Sequence, residues 1–305
     1  MRRLLLLVPL LCSCDDTSST RAPAEPAAAV TQEEWVTTPD FSGQNAYNHC
    51  AAICRLGPRF SGSPAYEKQL QYLEKHLHAA GWQTVRDSFQ APNGVKMSNL
   101  RAFRGTAPAP LLLSCHIDTK INISLQFESA DDGASGAAVL LELARVLHDE
   151  RVELIFLDGE ESFARHMSEK DGLYGSKFDV ARRNNTLPRW QINLDMVGGR
   201  NKTIAIPLLD TSDFMYDQYS AAIRATGFSE EKWTVWPGGY LDDHIPYLDA
   251  GVDSLDLIAH FSGSNWWHTP KDNMSRICPR SLHESGLLTR QLIHQLLSAA
   301  SASAQ

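Results

Sequence analysis

The sequence predicts an α/β fold in three layers, with helices on both faces of a mixed, mostly parallel central sheet. Two observations carry this. Short apolar runs (Leu111 to Cys115, Val152 to Leu157, Trp190 to Leu194) alternate with segments of helical periodicity, the pattern of strands joined by crossover helices. Polar residues follow each run directly, as at the carboxyl ends of buried parallel strands, where such folds gather their functional groups.

In chain order, Arg2 and Arg3 precede an apolar run from Leu4 to Leu11. These read as the charged and apolar parts of a signal peptide, too short to span a bilayer as a mature helix. Leu11-Cys12-Ser13-Cys14 is similar to the lipobox of bacterial lipoproteins, which implies cleavage before a lipid-modified Cys14. Asp15 after it implies retention on the periplasmic side of the inner membrane. Residues 15–35 are rich in Ser, Thr, Ala, Pro and Glu. They lack the apolar side chains to offset the entropy of ordering and read as a tether. A single domain is expected over 36–300. Leu70, Leu73 and Leu77 recur at helical spacing before Gly81, Trp82 to Phe89 and Asn99 to Phe103 read as strands, and Gly136 to Leu147 as a buried helix. Asp213 to Thr226 and Ser281 to Leu297 read as amphipathic helices flanking a last strand, Ser254 to Ile258.

The chain has 305 residues and a net charge of −8. That length supports one large core, and the charge argues against nucleic acid as a partner, since phosphate backbones demand clustered Lys and Arg. Cys50 and Cys54 lie four apart, a strained spacing for a disulfide on a helix. Buried free thiols are the plainer reading for these two, Cys115 and Cys278.

Five segments carry acids or histidines just past predicted strands or in loops: His116-Ile117-Asp118, Asp131-Asp132-Gly133, Asp158-Gly159-Glu160-Glu161, Asn193-Leu194-Asp195 and Trp267-His268-Thr269. Each alone has a plain explanation. Asp132 could cap a helix, His116 could be a core histidine, and Glu160-Glu161 could be a solvated pair. Together, carboxylate and imidazole donors without thiolates suit a catalytic zinc site. In extended chain, neighbouring residues point opposite ways. One carboxylate of the Glu160-Glu161 pair is thereby free to move protons while the other binds metal.

The order H-x-D, D-D-x-A-S-G, E-E, N-L-D, H-T resembles the M28 family of zinc exopeptidases. Longer stretches look like its glutaminyl cyclases: Phe156 to Phe163, Asp171 to Ser176, Asp242 to Tyr247, and Trp267 to Asn273. The resemblance implies the zinc-dependent exopeptidase fold and one zinc ion held by Asp132, Glu161 and His268. It implies Glu160 as the proton shuttle, Asp195 and Asp242 as catalytic aspartates, and Trp267 as a wall of the substrate pocket. The implied reaction closes an N-terminal glutamine of a peptide into pyroglutamate and releases ammonia. A monomer is expected, touching membrane only through its lipid anchor.

Two positions depart from the family pattern. His166 stands where many cyclases have tryptophan, and Asp256 where they have histidine. Ala137 replaces the partner of the disulfide cysteine that Cys115 matches. The alternative function is a two-zinc aminopeptidase using His116, Asp132, Glu161, Asp195 and His268. A non-catalytic binding domain ranks third, because it would be expected to lose ligands that are all present.

Overall fold

The computed structural model describes residues 31–105, 108–168 and 170–303. The signal segment and most of the tether lie outside them. After a 3₁₀ turn at Gln32–Glu34, the described chain forms a short hairpin of β1 (Thr37–Thr38) and β2 (Phe41–Ser42), then α1 (Gly43–Cys54) and α2 (Pro64–Ala79). Next come β3 (Gln83–Gln90), β4 (Lys96–Phe103), β5 (Leu111–His116), α3 (Ala134–Val146) and β6 (Val152–Leu157). The second half contains α4 (Tyr174–Arg183), β7 (Trp190–Asp195), β8 (Ile204–Pro207), α5 (Asp213–Thr226), β9 (Trp233–Trp236), α6 (His244–Asp249), β10 (Asp253–Ala259) and α7 (Pro279–Ser303).

The eight-stranded sheet runs β3-β4-β6-β5-β7-β10-β8-β9. Its centre, β6-β5-β7-β10, is parallel throughout, and antiparallel pairings begin at β4 and β8. The expected mixed, mostly parallel sheet is therefore present, with its parallel part where the chemistry lies. Register aligns the strand ends. His116 pairs with Leu157, and Asp195 with Ile258, so four carboxyl ends open on one edge.

Alternation along the central strands explains why they read as unbroken apolar runs. Leu111, Leu113 and Cys115 face the larger core with Leu154 and Phe156, while Leu112, Ile155 and Leu157 face a smaller core with Tyr247 and Val252. Both faces are covered, so neither parity of side chain is polar. On the larger side α3 lies close to the sheet. A Cβ on Gly136 would stand 2.4 Å from the Leu194 carbonyl oxygen and 2.8 Å from Cys115 Cβ, so only glycine permits that approach. On the smaller side Arg183 bridges Glu153 and Asp179, and the Tyr247 hydroxyl donates to Asp179 at 2.7 Å. Cys50, Cys54, Cys115 and Cys278 are all free and buried. No described helix is long and apolar enough to cross a membrane.

Candidate metal and catalytic site

Strand ends and the loops beside them place the site residues. β5 delivers His116, β7 delivers Asp195, and the turn after β6 delivers Glu160 and Glu161. Gly159 makes that turn at φ +70°, where a Cβ would stand 2.7 Å from Met97 Sδ. Asp132 precedes α3 but does not cap it: the N-cap is Gly133, at φ +103°. The Asp132 side chain points into the site instead. The long connection after β10 returns Trp267 and His268, with His268 at φ +52°. A left-handed non-glycine residue is held there by its surroundings, a form of strain common at ligand sites.

Asp132, Glu161 and His268 bring their donor atoms within 4.8 Å of one another. His268 Nε2 lies 3.0 Å from Glu161 Oε1 and 3.4 Å from Asp132 Oδ2. Asp132 Oδ2 is buried without a hydrogen-bond partner, an orphaned acceptor aimed at the cluster. Two carboxylate oxygens and one imidazole nitrogen are a donor set that fits zinc and leaves a position open. A second triad, His116, Asp132 and Asp195, is also compact. His116 Nε2 is 3.1 Å from Asp132 Oδ1 and 3.2 Å from Asp195 Oδ1.

The electrostatics follow from who faces whom. Burial opposes the Asp132 charge, but the facing imidazoles of His116 and His268 outweigh it and hold the carboxyl below its ordinary value. Burial also opposes charge on His268, yet the facing carboxylates of Asp132 and Glu161 raise it to about 10. This corner is built to hold positive charge. Glu160 differs. Burial pushes its carboxyl well above the usual range, helped by Glu161 and Asp242 and opposed by His116.

Across the cavity lies a group of carboxylates, Asp195, Asp242 and Asp256, with no Lys or Arg ion pair among the described residues. Asn193 Nδ2 donates to Asp242 Oδ2 at 3.0 Å and to Asp256 Oδ1 at 3.1 Å. Burial pushes Asp195 up to about 8, with Asp242 adding to it and the His116 bond opposing. Asp256 is raised well above its ordinary value by burial and by Asp242 and Asp195. Behind it, His244 Nδ1 lies 3.5 Å from Asp256 Oδ2.

A cavity of about 300 Å³ joins the two sides, lined by Asp132, Glu160, Glu161, Asp195, Asp242, Trp267 and His268 among others. All seven predicted site residues thus share one cavity. Trp267 stacks on His268 at 3.9 Å between ring centroids and is 37% exposed, a wall at the mouth. Sequence reasoning missed Tyr240, Leu241 and Phe261 on the same wall and the buried Lys120, whose Nζ is 3.4 Å from Glu161 Oε2. It also gave no role to Asp118, which accepts the backbone N–H groups of Glu160 and Glu161 at 3.1 and 3.2 Å.

Comparison with known proteins agrees with this geometry. The model of peptidase family M28 matches residues 100–293. The chain is 32% identical over 264 residues to a glutaminyl-peptide cyclotransferase-like protein of Bos taurus, covering 74% of this chain and 68% of that one. The chain belongs to peptidase family M28, on its glutaminyl-peptide cyclotransferase branch. The fold agrees. The glutaminyl cyclase of Porphyromonas gingivalis superposes with a TM-score of 0.74 at 26% identity, over 85% of this chain and all of that one. A Zn-dependent exopeptidase of Parabacteroides distasonis gives 0.74 at 26%, over 84% and 99%.

On this branch the two departures acquire places. His166 is exposed and lines the cavity, so an imidazole ring is part of the wall on that side. Asp256 is fully buried behind Asp242 and does not line the cavity.

Proposed function

We infer that this chain is a glutaminyl cyclase that works at a single zinc ion on peptides with N-terminal glutamine. The observation that carries this reading is the shared cavity. A metal-fitting donor set stands on one side, the Asp195–Asp242 pair on the other, and the buried Glu160 lines the space between.

Asp132, Glu161 and His268 would hold the zinc, which when bound polarises a carbonyl as a Lewis acid. The remaining work belongs to the chain's own side chains. Asp195 and Asp242 receive the substrate α-amine and orient its lone pair toward the γ-amide carbon. Glu160 takes a proton from that amine as the ring C–N bond forms. It returns the proton to the departing nitrogen as the C–NH₂ bond breaks, so ammonia leaves and the charge balances. A carboxyl raised by burial suits both halves of that transfer near neutral pH. The nucleophile is part of the substrate, so holding a near-attack conformer is the main task. Trp267 and the aromatic wall exclude competing water.

The His116–Asp132–Asp195 triad gives the two-zinc aminopeptidase its one structural support. The family relationship favours the cyclase. Incubating the zinc-loaded chain with a glutamine-initiated dipeptide decides between them: ammonia with intact peptide length supports cyclisation, whereas free amino acid overturns it. Zinc content per chain tests the ion count.

We also propose that the chain is a monomer and is held outside the cytoplasm through lipid on Cys14; the sequence motif supports the anchor alone. Incorporation of labelled fatty acid, lost in Cys14→Ser, checks the anchor, and sedimentation of the lipid-free chain checks the monomer.

A further inference from the structure

Asp272 stands outside the cavity and takes no part in the mechanism above, yet it is fully buried. Its two carboxylate oxygens are both engaged. Oδ1 accepts the backbone N–H of Asp131 at 2.9 Å, and Oδ2 accepts that of Asp132 at 3.1 Å. The same residue closes the turn that presents His268, donating its own N–H to the Thr269 carbonyl at 2.9 Å. One residue, through its side chain and its backbone, therefore ties together the two loops that carry Asp132 and His268, across 140 positions of sequence. The loop before Asp132 is gripped from its other side too. The buried Arg59 donates to the carbonyl oxygens of Glu128 at 2.8 Å and Ser129 at 3.2 Å.

We propose that Asp272 is a positioning residue for the metal, clamping the backbone of Asp132 in register with His268 before any ion arrives. This rests on the reading of Asp132, Glu161 and His268 as the metal ligands. Bonds from two successive N–H groups to the two oxygens of one carboxyl fix a peptide plane as well as a distance, and an amide in its place would keep only one acceptor oxygen. Outer partners that orient ligands in this way are typically worth about 10–100-fold in metal affinity. Asp118 does the same for Glu160 and Glu161, so both halves of the donor set are held through their backbones.

The test measures zinc rather than turnover. Zinc affinity by chelator competition, and the rise in melting temperature on adding zinc, are compared for the unaltered chain and Asp272→Asn. The expected result is a loss of about 10–100-fold in zinc affinity and a smaller zinc-induced rise, beyond any change in the metal-free melting point. Equal affinity and an equal rise overturn the clamp, since a merely structural role lowers both melting points together. Hydrogen exchange on the unaltered metal-free chain needs no variant. The Asp131 and Asp132 amides are expected to be protected, and fast exchange there overturns a clamp set before the metal. An unaltered chain that binds no zinc overturns the metal site itself, and the clamp with it.

Discussion

Asp132 and Asp195 are the same residue type, 3% and 6% exposed, on opposite sides of one cavity and both within reach of His116. Their carboxyls move in opposite directions. Asp132 faces a second imidazole, His268, and falls below its ordinary value. Asp195 faces Asp242 and rises to about 8. Burial is common to both, so the second neighbour decides the sign. One side of the cavity suits a cation, and the other suits a substrate amine. This division is what a reaction between a polarised amide and a nearby amine requires.

The largest effect is expected between the two sides. Glu160→Gln keeps the size and burial of the side chain but cannot carry a proton. We expect kcat to fall by about 10²–10⁴-fold, with zinc content unchanged. Turnover near that of the parent would move the proton shuttle elsewhere.

Asparagine on each side then tests the division directly. Asp132→Asn should weaken zinc binding by more than about 100-fold, above what outer-shell partners contribute. Asp195→Asn should keep one zinc per chain and lose turnover. If both variants lose zinc alike by metal analysis, the two sides are a single two-metal centre and the contrast collapses.

A smaller effect sharpens the acidic side. Because Asp256 is held above its ordinary range, its neutral form is favoured, and an amide of the same shape replaces it with little change. Asp256→Asn should therefore alter unfolding free energy by less than about 1 kcal/mol at pH 7. A larger loss by denaturant titration would mean that the buried carboxylate is ionised and paired, with His244 the nearest cation candidate at 3.5 Å.

Much of this was legible beforehand because strong periodicity and burial coincide. β6 and α5 fall on their predicted residues, and all seven predicted site residues meet at one cavity. What escaped has physical reasons. β8 and β9 are four residues each, and α6 is six residues with Pro246 inside it, too short for a period to register. α4 starts after Leu173 in the left-handed region, with no side-chain cap to announce it. Asp118 and Asp272 bind backbone N–H groups 42 and more residues away, and such partners leave no mark on side-chain pattern. The bare spacing of ligands was also silent on cyclase against peptidase, since both triads form around Asp132.

The smallest effect carries the comparison from carboxylates to histidines. His268, among carboxylates, is raised to about 10, whereas His49 is lowered to about 4 by burial and by His76, with Glu142 opposing. His49 meets rings rather than acids: His76 at 4.8 Å and Tyr72 at 5.9 Å between centroids, with Nδ1 2.8 Å from the Tyr72 hydroxyl. Its folded value lies below the ordinary 6.5 of the unfolded chain, so between about 4 and 6.5 the unfolded state binds the extra proton. Stability from neutral His49 is therefore full above that window and lost as pH falls through it. In His49→Gln this loss is absent, so the stability gap between parent and variant should narrow from pH 7 to pH 4.5 in urea titrations. A gap that stays constant would show that His49 is free to take its proton in the folded chain, and that rings do not replace acids in setting a histidine's charge here.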